Sequence, residues 1–217
     1  VYDMIYARFP KQMGGGSFLQ EQRSAILRAD HIICISRSTR EDLIELIPEA
    51  EKKSSVIYLA PSFEPDPGEV IPPAPPVPTF LFVGARDGYK NCPFLLRAFA
   101  AARSVRPDLR LRIAGDNLTR AELWEIHLLG LDDAVSFSPF PNERELRQLY
   151  ESSSALLYPT LYEGFGLPTL EAMACGTIVV TSNTSSLPEV VGDAGFMLNP
   201  RCQDSWVSCI LQIAADG

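Results

Sequence analysis

The 217-residue sequence predicts an α/β protein organised around a parallel sheet. Three observations carry that reading. From residue 79 onward, short apolar runs alternate with amphipathic helical stretches. Seven prolines crowd into residues 64–78. A shorter strand, helix, strand passage precedes them. With 46% hydrophobic and 21% charged residues the composition is that of a globular chain, with room for one domain or one plus part of another.

Taken in order, SFLQEQRSAILRAD (17–30) spaces Phe18, Ile26 and Leu27 on one helical face, and HIICIS (31–36) reads as a buried strand. Ser38 with Glu41 three positions on has the form of a capping box for a helix through Leu46, and VIYLA (56–60) reads as a second strand. Such a unit cannot cover its own sheet, so residues 1–63 are expected to be the tail of a larger domain, with a small accessory subdomain as the other reading. Residues 64–78 read as a linker, because proline lacks an amide donor and favours extended geometry.

Beyond it, TFLFVG (79–84) is a strand closed by Gly84, and Pro93 suits the first turn of the helix FLLRAFAAARS. LRLRIAG (109–115) is a strand, and AELWEIHLLG (121–130) a helix stopped by Gly130. The strand AVSFS (134–138), the helix ERELRQLYES (143–152) and the passage ALLYPT, LPTLEAMAC, TIVVTS follow. Helices of this length between strands imply a parallel sheet covered on both faces over residues 79–217.

The formal net charge of −8 speaks against a broad polyanion surface, so no nucleic-acid partner is expected. The cysteines, Cys34, Cys92, Cys175, Cys202 and Cys209, are odd in number and scattered, which fits neither a disulfide framework nor a structural zinc site. That usage suits a reducing cytoplasm. No apolar run reaches the ~18 residues of a membrane span, and no basic segment leads into an apolar one at the start.

In a parallel sheet ligands bind beyond the carboxyl ends of the strands, near the reversal of strand order. The loops of interest therefore follow Val83, Ala114, Phe137 and Tyr158. ARDGYKN (85–91) sets Arg86 and Lys90 beyond a strand end, where two cations could grip a diphosphate; solvated surface charges are the plainer reading. The run from Tyr162 to Gly176, YEGFGLPTLEAMACG, says more. Gly164 and Gly166 allow close backbone approach, Pro168 suits the first helical position, and the amides around Gly166 and Leu167 would face out of a helix N-terminus as a phosphate seat. Glu163 in the loop and Glu171, expected in the first turn, could border one crevice and accept from sugar hydroxyls. The alternative is an ordinary helix start with Glu171 favoured by the macrodipole and Glu163 in solvent.

These residues resemble the signature of the retaining glycosyltransferases of family four, which have the two-domain GT-B fold. The resemblance extends through TSNTSSLPEVVGDAG (181–195), FVGARDGYKN (82–91), LRIAGD (111–116) and ADHIICISRSTREDL (29–43). It implies a Rossmann-like donor-binding domain preceded by the tail of a second Rossmann-like domain. It further implies that Lys90 and Arg86 bind the donor diphosphate, and that the amides of Phe165, Gly166 and Leu167 meet the β-phosphate and sugar. Glu163 would hold a hydroxyl of the transferred sugar as the catalytic-site carboxylate, Glu171 the ribose, and Phe140 would lie near the base. Tyr89 stands where many members carry a second cation, and Pro139 where they carry glycine.

Such enzymes move a hexose, for example mannose or glucose, from a nucleoside-diphosphate sugar to a glycan or lipid-linked acceptor in polysaccharide synthesis. They keep the anomeric configuration and use no metal or other cofactor. The expected location is the cytoplasm or the inner face of the membrane, with peripheral contact through further N-terminal sequence. Asp3-Met4-Ile5 resembles a mid-domain block of the N-terminal half, so the expectation is an incomplete chain that binds donor and catalyses poorly alone. A non-catalytic nucleotide-sugar-binding module and an epimerase or phosphorylase of similar architecture are the competing classes. His31 and His127 are read as structural.

Overall fold

A computed structural model describes residues 1–10, 16–62, 75–86 and 88–216. The first unit holds α1 (Ile5–Arg8), α2 (Gly16–Arg28), β1 (Ile32–Cys34), α3 (Arg37–Leu46), a 3-10 turn (Pro48–Lys53) and β2 (Ser54–Val56). The second runs β3 (Thr79–Val83), a 3-10 turn (Gly88–Lys90), α4 (Cys92–Val105), β4 (Arg110–Gly115), α5 (Arg120–Leu128), β5 (Val135–Pro139) and α6 (Glu143–Glu151). It continues with β6 (Ala155–Tyr158), α7 (Leu167–Ala174), β7 (Ile178–Ser182), α8 (Leu187–Val191), β8 (Phe196–Leu198) and α9 (Gln203–Asp216).

The second unit forms a six-stranded parallel sheet in the order β5-β4-β3-β6-β7-β8. Every position of β3 and β6 is buried, because helices cover both faces and leave no polar side to alternate with. Phe80, Phe82, Leu111, Ile113, Leu157 and Val180 pack on one face under α4, α5 and α9. Leu81, Val83, Ala114, Leu156, Tyr158 and Val179 pack on the other under α6, α7 and α8. Capping boxes start α5 (Thr119 with Glu122) and α6 (Asn142 with Glu145). α9 closes the first face, with Trp206 fully buried and edge-on to Phe94 at 6.0 Å. The chain runs outward from β3 through β4 to β5, then returns to place β6 on the opposite flank of β3. The strand order therefore reverses between β3 and β6.

The first unit keeps its own two-stranded parallel sheet, with Ile32 opposite Ser54 and Cys34 opposite Val56, over a core of Ile26, Ile32, Cys34, Leu43, Ile47 and Ala50. Five sequence readings shift. The cap of α3 is Ser36, whose side chain accepts from the Thr39 amide at 2.9 Å, because Ser36 is the residue still in extended geometry; Ser38 lies inside the helix. β2 ends at Val56, and Ile57 and Tyr58 turn outward despite their apolar character. Pro168 occupies the second position of α7, and Glu171 the fifth, beyond its first turn. His31 precedes β1, where its ring meets Ser55 Oγ at 2.8 Å. Residues 63–74 and the side chain of Phe18 lie outside the described residues, so most of the expected linker does too.

All five cysteines are free, and all except Cys202 are buried. Among the described residues no helix is long and apolar enough to cross a membrane.

Candidate functional site

The reversal between β3 and β6 brings two loops side by side. The turn after β3 ends in Lys90, and the loop after β6 carries Glu163. Asn91, in left-handed geometry (φ 61°), caps α4 and donates its side-chain amide to the carbonyls of Pro159 (3.1 Å) and Pro200 (3.0 Å). The Tyr89 carbonyl accepts from the Leu161 amide (2.7 Å) and the Thr160 hydroxyl (3.1 Å), which fastens the loops together.

Lys90 Nζ then sits 2.8 Å from Glu163 Oε1, with their side chains 13% and 9% exposed. The Tyr158 hydroxyl completes a triangle: it donates to the same Oε1 at 2.8 Å and accepts from Lys90 at 2.8 Å. Full burial, reinforced by the Glu163 charge, raises the Tyr158 phenol well above its ordinary value, so it remains a donor. Among the described residues Glu163 Oε2 takes no hydrogen bond.

Behind Glu163, the Ser185 hydroxyl accepts from its amide (2.8 Å) and Ser186 Oγ donates to the carbonyls of Glu163 (3.0 Å) and Phe165 (2.8 Å). Gly166, at φ 102°, turns the chain into α7, whose start has no side-chain cap. Among the described residues the amides of Phe165, Gly166 and Leu167 donate no hydrogen bond, so three donors and the positive end of the helix dipole stand ready for an anion. One turn into α7, Glu171 accepts from the buried Tyr150 hydroxyl at Oε2 (3.0 Å) and from Ser62 Oγ at Oε1 (2.9 Å). One carboxylate oxygen is thus held from the core, and the other receives a hydroxyl from the first unit.

Arg86 turns elsewhere. Its guanidinium, 6% exposed, bonds Glu122 at 2.5 Å and the Asn117 carbonyl at 2.8 Å, and lies 5.7 Å from the Phe137 ring centroid. Burial works against the Glu122 carboxylate, yet the bonds from Arg86 and Thr119 hold its pKa below the ordinary value. Lys90 and Glu163 are brought together; Arg86 shares no partner with them. Phe140, at φ 45° and 65% exposed, follows β5 beside a cleft of about 420 Å³ lined by its neighbours Pro139 and Pro141 and by Glu145 and Gln148.

The first unit meets the loop directly. Tyr162 donates to Asp42 Oδ2 (2.5 Å), the other oxygen of Asp42 pairs with Arg8, and Thr39 Oγ1 donates to the Gly164 carbonyl (3.1 Å). Sequence reasoning missed Tyr158, Tyr150, Ser62 and Asp42. Only Tyr158 carried a signal, as the strand end before the loop.

The sequence model described as Glycosyl transferases group 1 matches residues 77–216. The O-antigen chain mannosyltransferase B of Escherichia coli is 37% identical over 139 residues, covering 63% of this chain and 36% of that protein. The O-antigen chain mannosyltransferase RfbU of Salmonella typhimurium is 28% identical over 194 residues, 88% of this chain and 53% of that protein. The chain thus spans roughly a third to a half of these relatives. Among solved structures, the apo form of the lipopolysaccharide outer core galactosyltransferase WaaB superposes with a TM-score of 0.69 at 25% identity, over 87% of this chain and 54% of that one.

Proposed function

Since the chain belongs to the family of group 1 glycosyl transferases, we propose that it serves the transfer of a hexose from a nucleoside-diphosphate sugar to a glycan or lipid-linked acceptor. Mannose is the favoured sugar, supported by the names of the two relatives above. Lys90 and the amides of Phe165, Gly166 and Leu167 bind the diphosphate. Glu163 holds a hydroxyl of the transferred sugar through its unoccupied oxygen, and Glu171 binds the ribose. The base lies toward Phe140. Arg86 is the second cation for the diphosphate: Glu122 and Asn117 hold its Nε and Nη2, and among the described residues its Nη1 has no hydrogen-bond partner.

The bond between the anomeric carbon and the β-phosphate oxygen breaks with its electron pair on the phosphate. The acceptor oxygen bonds to that carbon from the same face, and its proton passes to the departing phosphate. Retention of configuration follows. Lys90 and the start of α7 offset the charge growing on the leaving group in place of a metal ion. Glu163 positions the sugar and forms no glycosyl-enzyme bond, unlike the nucleophile of two-carboxylate hydrolases.

The observation that supports this best is the buried Lys90–Glu163 pair beside the uncapped start of α7. Calorimetric titration of the 217-residue chain with UDP, GDP and ADP tests it. One nucleotide is expected to bind, and Lys90→Ala and Glu171→Ala are each expected to weaken it at least about tenfold, the worth of one charge-assisted bond. Wild type and variants that bind alike, or a wild type that binds none of the three, would sink the reading.

A further inference from the structure

The block TSNTSSLPEVVGDAG contains a carboxylate that the donor site does not use. Glu189, on the short helix α8, reaches across to the first unit and meets the start of α3. Its Oε2 accepts from the Arg37 amide and its Oε1 from the Ser38 amide, each at 2.9 Å, and Oε2 also accepts from the Tyr58 hydroxyl at 2.9 Å. A helix start leaves its first amides without intrahelical partners and carries partial positive charge. Ser36 satisfies only the Thr39 amide from within α3. The other two are served by a side chain more than 150 positions away.

The groups this contact orders all touch the loop that carries Glu163. Thr39, one residue past Ser38, donates to the Gly164 carbonyl; Asp42, one turn on, takes the Tyr162 hydroxyl; and the Tyr58 ring lies 6.0 Å from that of Phe165. We propose that Glu189 is a positioning residue for transfer: by capping α3 from the donor unit it seats the first unit on that unit, and through Thr39, Asp42 and Tyr58 it holds the Glu163 loop in shape. The importance of that loop rests on the function proposed above; the cap itself does not.

Hydrogen exchange by mass spectrometry on the full chain, wild type against Glu189→Gln, is the test. The glutamine keeps the size but replaces one acceptor with an amide donor, which opposes the helix amides. Exchange over residues 36–39 should quicken about tenfold, the worth of a helix cap, and exchange over residues 160–166 should rise with it. Exchange in β3 and β6 should stay as in wild type. Because the same loop presents the Phe165 and Gly166 amides, the affinity for whichever of UDP, GDP or ADP binds should fall, but by less than turnover of the donor sugar does.

Unchanged exchange over both segments, or nucleotide affinity falling as far as turnover, overturns the proposal. Where β3 and β6 also exchange faster, Tyr58→Phe decides, since it removes the Tyr58–Glu189 bond, together with the hydroxyl's contact to the Arg37 side chain, and leaves the carboxylate in place. Local quickening confined to residues 36–39 and 160–166 supports the proposal, and its absence overturns it. A wild type that binds no nucleotide refutes the proposed function yet leaves the exchange result for Glu189 standing.

Discussion

Lys90 and Glu163 stand 73 positions apart in the chain and 2.8 Å apart in space, on the two loops that flank the reversal between β3 and β6. Their pairing is the reason two mostly buried charges are tolerated at the mouth of an otherwise apolar sheet. Removing the ammonium alone strands a carboxylate. Lys90→Met is therefore expected to lower stability in urea unfolding by ~1–3 kcal/mol, and Lys90→Met with Glu163→Gln to regain most of that loss. A double variant as unstable as the single one would show that the two groups do not interact.

The Tyr158 hydroxyl holds Glu163 from the side away from Oε2. Tyr158→Phe keeps the ring and deletes that donor, so the carboxylate keeps its charge and its bond to Lys90 but loses one of the two bonds that orient it. Turnover of the donor sugar should fall about tenfold, the worth of one hydrogen bond to a charged group, with nucleotide affinity within about twofold. Parallel measurement of kcat and of calorimetric Kd separates the two effects.

Ser62 Oγ donates to Glu171 Oε1 as a ribose hydroxyl would. Ser62→Ala should therefore tighten the nucleotide that binds, by roughly twofold to tenfold, since the carboxylate no longer exchanges one hydroxyl for another. Wild type should prefer the ribonucleotide over its 2′,3′-dideoxy analogue, and Glu171→Ala should bind both equally. Competition titrations measure both contrasts.

The β-carbon of an alanine at Gly164 would collide with the Tyr2 carbonyl and lie 2.8 Å from Asp3 Cβ, atoms with no freedom to yield except by moving the N-terminal segment. Gly164→Ala is expected to cost about 2 kcal/mol or more and to speed exchange over residues 1–5. At Gly166 the obstacle is milder, Leu187 Cδ2 at 2.6 Å, but φ of 102° adds backbone strain.

Alkaline stability follows from groups buried in their neutral form. Burial raises the thiols of Cys175 and Cys209 to about 11 and that of Cys92 to about 12; burial and then Glu171 raise the Tyr150 phenol. The unfolded chain releases these protons from about pH 9 upward, whereas the folded chain retains them. Their contribution is therefore complete below about pH 8 and is lost as pH rises through the folded values. The urea midpoint should be lower at pH 10.5 than at pH 8.

The alternation of β3 to β7 with their helices was legible because the central strands β3 and β6 are apolar runs, β4 and β5 alternate apolar with polar residues, and each helix carries its own cap or proline. The Glu163 loop was legible for a related reason: glycines and prolines at fixed offsets have few conformations open to them. The start of α3 misled because two serines, Ser36 and Ser38, both precede acceptable partners, and only the end of β1 decides between them. VIYLA misled because apolar character served a contact between units, Tyr58 with Phe165, and not a strand. Ser62 and Glu189 act through partners more than 100 positions away, and no local pattern encodes such distances.

Four of the five thiols are shut inside, while Cys202 lies open just after Pro200, whose carbonyl Asn91 grips. A maleimide fluorophore added to the native chain would therefore attach at one address, one side chain away from the lysine loop. Such a label would sit near that loop with no engineered residue needed.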